Sequence, residues 1–144
     1  MKSIFLNNKR LRGFNIFFII SWCSIFSQTT MSGELESWEC DKFNGAIIIA
    51  SDGTQLGILG ESWKSDSIFN SSSKHSSTWS NDSIFNDSSD YGNSYSNSSV
   101  FNESASDPPR ILNDGELIGY ISVGPSWKSD RYNPYDIKYT CDWD

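Results

Sequence analysis

The chain has 144 residues, a formal net charge of −7 at pH 7, one histidine and three cysteines. That length holds one domain and not comfortably two. The acidic balance disfavours binding to the phosphate backbone of a nucleic acid, and so few soft ligands leave a zinc site without support.

The first element is an export signal. Lys2, Lys9, Arg10 and Arg12 form a positive start, Phe14 to Phe26 is an uncharged, largely apolar run, and small and polar residues follow from Ser27 to Gly33. This is the order of a secretory signal peptide, and the run is short of the roughly 20 residues that span a bilayer. Cleavage is expected near Ser27, with an uncleaved anchor or a buried helix as alternatives, so residues 1–27 are read as signal and residues 28–144 as the domain. Trp22 just before Cys23 does not suit a lipid-attachment site. Loss of residues 1–27 removes four positive charges and no negative one, taking the net charge to −11. The expected location is secreted, periplasmic or at the cell surface. Cys40 and Cys141 then remain, one near each end. In an oxidising compartment they are expected to pair, with a free thiol or a metal ligand as the alternatives.

Next in the chain comes a hairpin. Asp52-Gly53 separates the apolar stretch Ala46 to Ser51 from Thr54 to Leu59, and Asp-Gly between apolar runs is a strong signal for a tight turn. Ile47, Ile48 and Ile49 form a continuous run, which suits a strand covered on both faces. A second hairpin is expected further on, Arg110 to Asn113 pairing with Glu116 to Ser122 across Asp114-Gly115. "DGTQLGIL" and "DGELIGYI" are near duplicates, and Ile58 and Tyr120 are expected to be buried twins. No stretch shows sustained helical periodicity.

Between the hairpins lie three 16-residue repeats, residues 62–109. Phe69, Phe85 and Phe101 mark the step. In register with them stand Trp63, Trp79 and Tyr95; Ser67, Ser83 and Ser99; Ile68, Ile84 and Val100; and Asn70, Asn86 and Asn102. Disorder would suit the serine and asparagine content, but three large apolar groups per unit favour turns or extended segments pinned to a neighbour. The asparagines and Asp66 and Asp82 are expected to bond local backbone, so that one structural unit repeats. The fold expected is a small all-β domain in which two Asp-Gly hairpins flank the repeats, with a short β-solenoid of 16-residue rungs as the alternative.

This combination of hairpin, tandem Ser-x-Ser-Ile-Phe-Asn units, "PPRIL" and second hairpin resembles a group of small exported, mostly bacterial proteins of uncharacterised function, over about Ser51 to Ser129. "SSSKHSS", Ser71 to Ser77, departs from the tyrosine-glycine pair usual there, which "DYGNSYS", Asp90 to Ser96, keeps. The resemblance implies export and a shared fold, and brings no catalytic residue and no ligand.

The residues themselves offer little catalytic chemistry. His75 could serve a Ser-His-Asp site, yet it stands where Tyr91 stands in the next unit, and an exposed repeat variant is expected. Carboxylate pairs for glycoside hydrolysis are too many to choose among: Asp66, Asp82, Asp87, Asp90, Glu103 and Asp107. "NDSSDYGN", Asn86 to Asn93, has oxygen ligands suited to calcium without the order of an EF-hand, and solvated turns explain the same residues. Trp38, Trp63, Trp79, Trp127 and Trp143 are expected to be mostly structural, with one or two left outside for contact with a glycan, a peptide or a cell surface. Asn-x-Ser sequons at Asn70, Asn81, Asn86, Asn97 and Asn102 matter only in a eukaryotic secretory pathway. The expected function is an exported, non-enzymatic structural or binding protein, the alternative a small secreted hydrolase using a carboxylate pair, and neither a catalytic residue nor a cofactor is assigned.

Overall fold

The structure, a computed structural model, describes residues 35–125 and 130–144; the signal expected over residues 1–27 lies outside the described residues. A single five-stranded sheet organises the chain. Strands β1 (Ile47–Ile49), β2 (Gln55–Ile58), β3 (Arg110–Asn113), β4 (Glu116–Ile121) and β5 (Arg131–Tyr132) are arranged in the order β2-β1-β3-β4-β5. Neighbours are antiparallel except β4 and β5, which run parallel.

Both Asp-Gly turns form. Asp114 and Gly115 have φ of 49° and 83°, the pair of positive values that a two-residue primed turn needs. The first turn is one residue longer. Ala50 receives the amide of Gly53 and donates its own to Thr54, Gly53 has φ 90°, and Asp52 Oδ1 accepts from the Thr54 amide at 2.8 Å. The sheet buries one face. Ile48, Leu56, Ile111 and Ile121 are fully buried, each contributing about 1.5–3 kcal/mol relative to exposure. The register places Ile58, Ile47, Leu112 and Leu117 in one row on the opposite face, where Ile47 and Leu117 are exposed. The isoleucine run is thus covered on one face, not both. For the same reason the twins Ile58 and Tyr120 are half-buried, not buried.

Segment 59–109 leaves the sheet at β2 and returns at β3, on the other side of β1. It contributes no strand, only an isolated parallel bridge between Ser67 and Ile58 and a short 3-10 turn, Lys74–Ser76. The sheet is not solenoid-like, because side chains compete with ladder formation for the backbone. Ser67, Ser83 and Ser99 are fully buried, and their Oγ atoms accept from the amides of Phe69, Phe85 and Phe101 at 3.1, 3.1 and 3.0 Å. Asn70, Asn86 and Asn102 donate through Nδ2 to the carbonyls of Lys64, Ser80 and Ser96 at 2.9, 3.1 and 2.9 Å. Their Oδ1 atoms each accept, at 2.9 Å, from the amides of Ser72, Ser88 and Ser104. Every turn so closed leaves the next residue free to turn inward, and Ile68, Ile84 and Val100 join the core of the sheet.

Among the described residues two short α-helices flank the sheet strands in the sequence, where helical periodicity gave no signal. α1 spans Cys40–Phe43, and α2 spans Pro134–Thr140. α2 starts where Asn133 accepts from the Tyr135 amide and Pro134 takes the first helical position, a place where its missing N–H costs nothing. Cys40 and Cys141 come to disulfide distance, with Sγ atoms 2.07 Å and Cα atoms 5.5 Å apart. Among the described residues no helix is long and apolar enough to cross a membrane.

Candidate functional site

Each unit of segment 62–109 carries three large apolar groups with different fates. The aliphatic residue is buried in the sheet core. The phenylalanine is half-buried beneath the C-terminal helix: Phe85 and Phe101 lie 6.0 Å apart between ring centroids and contact Tyr135 at 6.2 and 5.9 Å, while Phe69 meets Trp143 at 6.2 Å. The third group points outward. Trp63, Trp79 and Tyr95 are 75%, 90% and 91% exposed. The backbone still fixes where they leave the chain: Ser77 Oγ holds the Trp79 amide at 3.2 Å, and Asn93 Oδ1 holds the Tyr95 amide at 2.9 Å. Beside Trp63 the Lys64 ammonium sits 5.9 Å from the ring centroid. Rings of this size left in water, on a scaffold tied down by hydrogen bonds, are the candidates for a contact surface.

The tryptophans are therefore less structural than composition implies. Trp38 is exposed alongside Trp63 and Trp79, and Trp143 is buried; Trp127 lies outside the described residues. Aliphatic and phenylalanine side chains already fill the core of so small a domain, leaving little room for indoles.

The two asparagine classes separate as cleanly. Asn70, Asn86 and Asn102 have both ends of the amide engaged. Asn81 and Asn97, each two residues past an outward ring, are exposed, and their side chains make no hydrogen bond among the described residues. The sequons at Asn81 and Asn97 are the open ones.

His75 is buried, not exposed. Its amide donates to Ser73 Oγ, its carbonyl accepts from Ser83 Oγ at 2.8 Å, and its Nδ1 lies 3.3 Å from the Asp82 carbonyl. It fills space between turns where a smaller residue would leave a gap. Its counterpart Tyr91 reaches the first hairpin, its hydroxyl donating to Asp52 Oδ2 at 2.7 Å. That bond, with the Thr54 amide, holds the Asp52 carboxyl below its ordinary range, while burial raises the Tyr91 hydroxyl.

The asparagine oxygens of the stretch Asn86 to Asn93 are spent on turns. Asn86 Oδ1 takes the Ser88 amide, Asn93 Oδ1 takes the Tyr95 amide, and Asp87 accepts from Ser88 Oγ at 3.3 Å. Among the described residues no three His, Cys, Asp or Glu side chains converge as a metal site. Of the carboxylates, Asp82 pairs with Lys74 at 3.2 Å, and Asp66, Asp87, Asp90 and Asp107 are exposed or partly so. Asp82 and Asp90 line a cleft of about 280 Å³ with Asn81 and Tyr91, and Glu103 lines one of about 360 Å³ with Asp136, Arg131 and Asn133. Asp136 had no sequence signal, since only the fold brings α2 beside the third unit. Arg131 is committed there to Ala105 O at 2.8 Å and Ser122 Oγ at 3.3 Å.

No protein family, curated protein or solved structure matches the chain.

Proposed function

We propose that this is an exported, non-enzymatic structural or binding protein of the cell surface or periplasm, related to the uncharacterised exported proteins its motifs resemble. Its three 16-residue units form one repeated structural element that presents outward aromatic rings. The observation that carries the reading is the outward exposure of Trp63, Trp79 and Tyr95 beside inward Ile68, Ile84 and Val100. A chain under selection for stability alone gains by turning such rings inward. Cys40 and Cys141 at disulfide distance suit the oxidising compartment that export implies. Fractionation of the producing cells, with and without residues 1–27, tests location. Binding of the protein to intact cells, with Trp79→Ala and Tyr95→Ala compared against the parent, tests the surface. Recovery in the cytoplasm, or undiminished binding by both variants, overturns the reading.

In the cleft of Asp82 and Asp90 the Lys74 ammonium holds Asp82 at 3.2 Å, so the hydrolase alternative rests on the cleft shared by Glu103 and Asp136. Both side chains are open to solvent, whereas a general acid of this class works from a drier site. Glu103→Gln and Asp136→Asn assayed on chromogenic glycosides decide it, since loss of a measurable turnover in both variants is required.

A further inference from the structure

Resting on the reading of the outward aromatic rings as a contact surface, we propose that their ligand is an uncharged linear polysaccharide. Two kinds of exposed group recur in this segment. One is the flat, exposed ring of Trp79 or Tyr95; the other is the free carboxamide of Asn81 or Asn97, two residues on. A sugar ring offers the matching pair, an apolar C–H face to lie on an indole or phenol and hydroxyls that both accept from and donate to an amide. The first unit varies the theme, with Lys64 and Ser65 following Trp63.

The arrangement also repeats. Trp79 with Asn81 is followed sixteen residues on by Tyr95 with Asn97, so a polymer with a short chemical repeat can engage more than one unit at once. Weak contacts linked in this way gain by avidity.

Charge and topology weigh against two competitors. With a net charge of −11 beyond residue 27, the chain repels polyanions. An extended peptide that adds to a sheet needs an open strand edge. Segment 62–109 contains no strand, and the outer edge of β2 is already engaged at Ile58, whose amide donates to Asp66 O and whose carbonyl accepts from the Ile68 amide.

The test is native electrophoresis of the full chain through gels cast with hydroxyethylcellulose, a neutral polymer, or with polygalacturonate, an anionic one, at low and high salt. Retardation is expected in the neutral gel alone and is insensitive to salt. Trp79→Ala and Tyr95→Ala should each weaken it about tenfold, the size of one lost stacking contact, and Asn81→Ala with Asn97→Ala should weaken it further. Because these side chains are exposed, unchanged circular dichroism confirms that the variants fold. Absence of retardation in the neutral gel, retardation only by the polyanion, or equal retardation of parent and ring variants overturns the proposal. If the ring variants lose attachment to intact cells while the neutral gel retards none of the proteins, the contact surface stands and the polysaccharide does not. Self-association that disappears in the ring variants assigns the rings to a second copy and likewise overturns it.

Discussion

Replacing Asn86 by alanine tests the physical basis of the repeated Ser-Ile-Phe-Asn phrase. Asn86 is 4% exposed, donates to Ser80 O at 3.1 Å and accepts from the Ser88 amide at 2.9 Å. Each bond contributes about 0.5–1.5 kcal/mol net. Removing the side chain also leaves the Ser88 amide short of a partner, at about 1–3 kcal/mol where water cannot reach it, while Ser80 O keeps the Ser83 amide at 3.2 Å. The expected loss is about 2–4 kcal/mol, a large share of the stability of a domain this size. Asn70→Ala and Asn102→Ala should cost less, because those positions are half-buried and water can replace the side chain. Asn86→Asp keeps the acceptor but loses the donor and sets a carboxylate against Ser80 O, so it should recover none of the loss. Urea unfolding followed by tryptophan fluorescence gives the four values, with Asn81→Ala as the exposed control, expected within about 0.5 kcal/mol of the parent. If Asn86→Ala costs no more than Asn81→Ala, the side-chain bonds do not hold the turns, and the reasoning fails.

Reduction of the Cys40–Cys141 pair, or Cys40→Ser, should lower stability by up to about 4.7 kcal/mol, the chain-entropy value for a loop near 100 residues; two reactive thiols in the denatured protein, prepared without reductant, would show that the bond does not form. A β-carbon on Gly92 would fall 2.2 Å from Asn86 O and 2.6 Å from Ile84 O, so Gly92→Ala should be poorly folded by circular dichroism, whereas Gly53→Asn, at an open positive-φ turn, should fold normally. Asp52 has a folded-state pKa lowered by the Tyr91 hydroxyl and the Thr54 amide. Its contribution is present above the unfolded value of about 3.9 and is lost as pH falls through the lower folded value. Tyr91→Phe should therefore flatten the acid limb of a stability profile below about pH 4, and an unchanged limb would remove this contact from the account.

Local signals with a geometric reason behind them were legible. Asp-Gly dictated both hairpins, because few other pairs accept positive φ, and the strand bounds of β3 fell where they were read. The step of 16 residues identified the side chains that recur but not the direction each takes. An aromatic five residues before a core isoleucine can face either way, and only the path of the turns turns Trp79 outward and Phe85 beneath Tyr135. His75 misled for a related reason. Its polar neighbours suggested solvent, yet buried serines that satisfy their own backbone can surround a buried histidine. α2 was missed because two turns are too short for a hydrophobic period to appear, although Asn133-Pro134 carried a start signal. β5 and the cleft holding Glu103 and Asp136 depend on contacts between distant segments, which no local pattern encodes.

The placement of β1 between β2 and β3 sets an order of events in time. β1 with β2, and β3 with β4, are closed by turns of a few residues, and such hairpins form in about 1–10 μs. The seam between β1 and β3 joins residues about 60 positions apart, as in Ile48 opposite Ile111, and no gain accrues there until the intervening segment has collapsed and delivered Ile68, Ile84 and Val100. Distant pairing of this kind slows folding. Two quick local folds therefore wait on one slow closure, and while they wait the inner edge of each hairpin stands open to other chains. A polar, strand-poor segment between them keeps that waiting state soluble, which gives the serine and asparagine content a second use that the finished fold does not reveal.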